Sequence, residues 1–283
     1  MINENIKLGV INTLKINRIS EPGLYLSSLD EEEVLLPNTY IKDGMDLDDE
    51  IDVFIYTDSE DRLVATTESP LGFKDQFIFA EVVDTINFGA FVDWGLKKDL
   101  FVPKNRQKTP FKEGEKRIIR IVEDEQTNRL IGVEKIGQFL SKEVEKLKKN
   151  DPVKILVVAK TPLGYKVIVD NSYEGLIYKN EIFQDIYVGL KLDAFIKSVR
   201  EDKKLDISLQ PIGKTIAKDI NDTKILDILK QNHGTLPYNY KTDPDEIKDI
   251  FGLSKKAYKR ALTSLQEKNL ITIEDSGITL KYK

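Results

Sequence analysis

Along residues 8–209 apolar side chains recur mostly at every second position, and from residue 214 onward they recur at intervals of three and four. A period of two marks strands with one buried face, and a period near 3.6 marks amphipathic helices. In residues 1–70 the alternation predicts strands at 8–19, 24–29 and 34–36, a fourth carrying Ile51, Val53 and Ile55, and a fifth at 62–66, with a turn at Glu21, Pro22 and Gly23. Residues 71–140 repeat the scheme at 77–86, 100–102, 117–122 and 130–133, with a second strand inside 86–94, INFGAFVDW. Residues 141–213 repeat it again at 153–159, 166–169, 175–178, 194–199 and 205–209. Before that third unit, Phe139, Leu140, Val144 and Leu147 stand at helical spacing and predict a connecting helix over 136–150.

In the tail, 214–283, Ile216, Ile220, Ile225, Leu226, Ile228 and Leu229 predict a helix closed by His233 and Gly234. A second helix opens on Asp243 and Pro244, a cap followed by an N1 proline, and ends at Gly252; a third is capped by Ser254. A hairpin turns around Asp275, Ser276 and Gly277. Three helices and a hairpin predict a winged helix, with Lys255, Lys256, Lys259 and Arg260 on the exposed side of the third helix and Ala257, Ala261, Leu262 and Leu265 inward. The predicted fold is multidomain and mainly β, three tandem five-stranded barrels followed by an α+β winged helix.

The repetition is visible residue by residue. An offset of 75 carries Gly89 onto Gly164, Lys104-Asn105 onto Lys179-Asn180, Gly114 onto Gly189 and Leu130 onto Leu205. Toward the first unit the offsets vary, 66 from Gly23 to Gly89 and from Pro37 to Pro103 but 70 from Gly44 to Gly114, so loop insertions separate related units. In the middle unit Phe88 and Phe91 bracket Gly89 and Ala90. A glycine there allows a bulge that turns both rings to one exposed face, where they can stack on bases. Lys104, Arg106 and Lys108 follow the next strand with no acid until Glu113, and extend that face with positive charge. At the corresponding positions the first unit keeps Tyr25 for Phe91 and Pro22 for Phe88, while the third has Lys166 and Leu163. Trp94 falls on the inner face by alternation.

Composition and charge extend this picture. The chain has no cysteine and one histidine, which removes thiolate chemistry and fits an intracellular setting. No run of eighteen apolar residues occurs, so no membrane span is expected and the protein reads as soluble, cytoplasmic and monomeric. The formal net charge of −5 is unevenly spread: residues 1–70 hold 5 basic and 16 acidic residues, whereas the three later units hold 12 against 11, 13 against 11 and 13 against 10. A polyanion meets a repulsive front end and a mildly attractive remainder. The acidic runs at 30–33 and 46–52 have no spacing that defines a metal cage and read as solvated loops. His233 sits beside Gly234 at a helix end, and neither a general base nor a cofactor motif is apparent, so no enzyme and no cofactor are expected.

The run FGAFVDW, the short strand after it and the closing NRLIGV resemble the S1 RNA-binding domain, an oligonucleotide-binding (OB) barrel. The resemblance implies an RNA face of Phe88, Phe91, Asp124 and Arg129, with Pro103 where that family has a histidine. In the third unit it implies Tyr178 at the histidine place and Lys204 at the arginine place; Lys179, which the offset of 75 pairs with Lys104, is a further candidate RNA contact beside Tyr178. In the first, Tyr25 and Arg62 remain. Three such domains before a winged helix resemble the conserved virulence factor B family. That implies a non-enzymatic cytoplasmic protein that binds single-stranded RNA and regulates expression after transcription in bacteria. Two rivals are a DNA-binding transcription regulator acting through the winged helix and, further off, a ribonuclease accessory protein.

Overall fold

The computed structural model describes residues 2–212 and 214–281, with the side chains of 214–219, and so the predicted apolar position Ile216, outside the description. Two compact units result, Met1–Phe139 and Leu140–Lys283.

The first unit holds two barrels. In the first barrel, β1 (Ile11–Ser20), β2 (Gly23–Ser27), β3 (Glu33–Pro37), β4 (Glu50–Thr57) and β5 (Leu63–Thr66) close in the order β1-β2-β3-β5-β4. Leu14, Ile16, Leu24, Leu26, Val34, Leu36, Val53, Ile55 and Ala65 point inward. The second barrel uses β6 (Phe77–Ile86), β7 (Gly89–Asp93), β8 (Leu100–Pro103), β9 (Lys116–Asp124) and β10 (Arg129–Val133) in the order β10-β9-β6-β7-β8. Its ladder does not close between β8 and β10, unlike the expected full barrel. Side chains fill that seam: a Cβ on Gly132 would stand 2.7 Å from Val102 Cγ2.

Residues 53–57 are buried on both faces of β4, because Val53 and Ile55 face their own barrel while Phe54 and Tyr56 join the core of the second. A continuous apolar run is what such a doubly covered strand requires. Phe54 stacks against Phe73 and meets Trp94 edge-on, with centroids 5.9 and 5.7 Å apart. Trp94 is buried as expected, but at the junction of two barrels, and its Nε1 donates to the Lys98 carbonyl at 2.7 Å. Lys98 Nζ in turn donates to the Thr57 and Asp58 carbonyls at 2.9 and 2.6 Å.

In the second unit β11 (Pro152–Thr161), β12 (Gly164–Val169), β13 (Tyr173–Tyr178), β14 (Lys191–Val199) and β15 (Leu205–Ser208) form a closed barrel in the first barrel's order. The connecting helix expected over 136–150 is absent: a single 3-10 turn, Ile136–Phe139, is followed by irregular chain. A lone helix of that length is marginal in water, and here Val144 and Leu147 are taken into the third barrel's core instead. The winged helix comprises α1 (Lys214–Gln231), β16 (Thr235–Leu236), α2 (Pro244–Phe251), α3 (Lys255–Glu267), β17 (Ile271–Glu274) and β18 (Gly277–Leu280). Asp243 caps α2 through the Asp245 amide and Ser254 caps α3 through the Ala257 amide. Gly252, at φ 56°, supplies the left-handed turn between them. The two-residue strand β16, which pairs with β18, escaped the pattern reading.

Candidate nucleic-acid interface

Ala90 and Val92 are buried, which turns Phe91 outward on β7, and Leu100 and Val102 do the same for Phe101 on β8. The two are cross-strand partners, with ring centroids 5.3 Å apart. Phe88 is not in the strand: it occupies the turn before β7, is 68% exposed and lies 5.8 Å from the Phe101 ring. The bulge expected at Gly89 lies instead in the neighbouring strand, between Val82 and Asp84. Gly89 has a different task. A Cβ there would run into the Phe101 ring and sit 2.7 Å from the Val102 carbonyl oxygen.

The three rings therefore form one platform with Phe101 at its centre. Sequence reading missed Phe101, although its place between Leu100 and Val102 is the signal that finds it. The Lys104 amide donates to the Phe88 carbonyl at 2.9 Å, and its Nζ reaches the Asn87 carbonyl at 3.4 Å, so this cation borders the exposed end of the platform. Arg106 and Lys108 are exposed on the same segment, where the Lys108 amide is anchored by Glu134 at 2.5 Å.

The remaining candidates of this unit are brought elsewhere or closed off. Asp124 accepts from Thr127 Oγ1 at 2.8 Å and fixes the β9–β10 turn. Arg129, its register partner, is ion-paired with Asp61 of the first barrel. Arg62 is held by Asp58 at 2.7 Å and Glu60 at 2.9 Å. Tyr25 is covered by the Arg18 guanidinium, 3.4 Å from its ring centroid. Arg18 also donates to Glu33 at 3.1 Å, and that hydrogen bond, followed by one from Asn17, keeps the Glu33 carboxyl below its ordinary range.

In the third barrel Lys166 and Lys204 converge on Glu174, at 3.7 and 2.9 Å. Tyr178 is half-buried with Lys197 Nζ 5.9 Å above its ring, and Lys179 is exposed just after it. Leu163, at the place of Phe88, is 63% exposed. On α3, Lys256, Lys259 and Arg260 are exposed and Lys255 half-buried, none of them ion-paired among the described residues, while Tyr258, Ala261, Leu262 and Leu265 form the core side. No group of three acidic or histidine residues among those described is arranged to hold a metal ion.

Five-stranded barrels of this order followed by a winged helix define a modular protein built from OB-type domains, and comparison with known proteins agrees. The S1 domain family matches residues 8–68, the first barrel, and the CvfB-like winged helix domain family matches residues 223–280. Over nearly its whole length the chain is similar to proteins named conserved virulence factor B, for instance that of Staphylococcus epidermidis, at 27% identity over 98% of this chain and 95% of that protein. The uncharacterized protein YitL of Bacillus subtilis is 29% identical, covering 99% of this chain and 95% of its own length. A solved multidomain protein with nucleic acid binding domains from Streptococcus pneumoniae superposes with a TM-score of 0.40 at 25% identity, over 97% of this chain and 98% of that one. The resemblance to the conserved virulence factor B family is thus borne out.

Proposed function

We propose that the chain binds single-stranded RNA without processing it, and acts on gene expression after transcription in the cytoplasm. The observation that carries the reading is the Phe88, Phe91 and Phe101 platform. Unpaired bases are what outward-facing rings accept, since every base has a face to stack and a duplex keeps those faces covered. Lys104, Arg106 and Lys108 beside the platform supply attraction for phosphate, and the α3 cations, not ion-paired among the described residues, offer phosphate a further contact on the winged helix. The names of the relatives and the S1 match support the reading, and no helix among the described residues is long and apolar enough to cross a membrane.

The test is a titration of the intact chain with single-stranded RNA and with duplex DNA of equal length at fixed salt. Tighter binding of the RNA, weakened by Phe101→Ala, is expected. Preference for the duplex, unaffected by Phe101→Ala but lost on substitution of the α3 lysines, would assign the protein to DNA through its winged helix.

A further inference from the structure

The ring platform has an acidic end. Asp84 is the cross-strand partner of Phe91. Asp93 ends β7 two residues after Phe91, and Asp99 immediately precedes β8 two residues before Phe101; the charges of Asp93 and Asp84 act on Asp99, so the three carboxylates gather at one end of the ring face. Burial, and after it the charges of Asp93 and Asp84, pushes the Asp99 carboxyl above its ordinary range. Asp93 is satisfied by the Gly95 amide at 2.8 Å and Asp84 by the Thr85 amide at 2.7 Å. Nothing among the described residues donates to Asp99.

The first barrel shows what this face holds when it is filled. By strand register Arg18 stands at the place of Asp84, Tyr25 at that of Phe91, Leu35 at that of Phe101 and Glu33 at that of Asp99. There a planar group bearing N–H donors, the Arg18 guanidinium, lies on the ring and gives its edge to the Glu33 carboxylate. The middle barrel keeps the ring, adds Phe101 and two further carboxylates, and lacks the planar donor. Among the bases, guanine carries such an edge: N1–H and the N2 amino group form a cyclic guanidine fused to a stackable ring.

We infer that the middle barrel selects guanine, stacking the base on Phe91 and Phe101 and receiving its N1–H and N2–H donors on the Asp99 carboxylate. This rests on the reading of the platform as an RNA surface. The base edge points to the acidic end and the sugar-phosphate chain to the Lys104 end, which separates the phosphates from the carboxylates. Uracil is disfavoured, because its single edge N–H lies between two carbonyl oxygens that would face Asp84, Asp93 and Asp99. A well-formed bidentate contact discriminates against a wrong base by about tenfold or more.

The experiment titrates the full chain with single-stranded oligoribonucleotides of repeating A-A-X, where X is guanosine, inosine or uridine. Guanosine is expected to bind about tenfold more tightly than uridine, with inosine, which lacks the amino group, in between. Asp99→Asn should bring the guanosine-to-uridine ratio within about twofold, with Asp84→Asn as a second variant should the first melt early. Equal binding of guanosine and uridine, still reduced by Phe101→Ala, overturns the guanine assignment and leaves the RNA platform standing. Binding indifferent to both Phe91→Ala and Phe101→Ala overturns the two together. Displacement of the oligonucleotide by an arginine-rich peptide, abolished by Asp99→Asn, would give the face to a protein partner and overturn the assignment as well.

Discussion

The first and middle barrels share strand order, bulge position and the strand β4, which is buried between them, yet they treat their outward faces in opposite ways. In the first, Arg18 covers Tyr25 and is held by Glu33, Arg62 is held by Asp58 and Glu60, and Lys15 by Asp48 at 2.6 Å. In the middle one, Phe88 is exposed, Phe91 and Phe101 are half-buried with no cation over their rings among the described residues, and Lys104 and Arg106 extend from the loop beyond them. A barrel whose cations are spent on its own carboxylates has nothing left for phosphate, and a barrel whose ring is already stacked has no free face. The lesson is that the fold match and the binding surface need not coincide. The S1 family matches the barrel with the closed face, and the open one lies beside it.

The largest effect concerns what the two barrels share. Phe54 is fully buried between them, against Phe73 and Trp94, and Phe54→Ala should destabilise the first unit by about 3–5 kcal/mol. Both barrels should melt in one transition, monitored through Trp94, the chain's single tryptophan. For the same reason residues 71–283 are not expected to behave as an intact remainder, since deleting the first barrel bares Trp94 and its neighbours. Two separate transitions, or a truncated chain with an unchanged midpoint, would break the description of β4 as a strand buried by both barrels.

Next in size is the platform itself. Phe101→Ala and Phe91→Ala should each cost RNA binding roughly 1–3 kcal/mol with a small change in melting midpoint, because both rings lie outside the barrel core. Tyr25→Ala, which removes a ring already covered by Arg18, should leave RNA affinity within error. A Tyr25 variant that binds as poorly as the Phe101 variant would erase the distinction between closed and open faces.

How much of this was legible in the chain follows from the range of the forces involved. Strand alternation, the caps at Asp243 and Ser254 and the turn at Gly252 act within a few residues, and the architecture could be read from them. Phe101 was within reach of the same alternation, standing between buried Leu100 and Val102, but a strand of four residues ending in Pro103 carries too short a pattern to single out its outward position. The segment 140–150 misled because helical spacing says nothing about a competing partner, and the third barrel's core claims Val144. Least legible was Arg129, whose partner Asp61 lies 68 residues away in another barrel. No local pattern announces that pairing.

The smallest effect is also the cleanest separation of paired from unpaired cations. On a single strand each phosphate contact adds roughly 0.7 to the slope of log affinity against log salt. Lys255, Lys256 and Lys259 on α3 have no carboxylate partner among the described residues. Replacing all three by alanine should therefore lower the slope by about 2 if each meets a phosphate. Arg62→Ala removes as real a cation, but one already neutralised by Asp58 and Glu60, so its slope should match that of the unaltered protein. Both variants are surface changes that leave the cores of their units intact, so the comparison is not confounded by unfolding. If the Arg62 variant lost slope and the α3 variant did not, phosphate would be travelling over the acidic first barrel, and the ion pairs there would be too weak to withhold their cations from it.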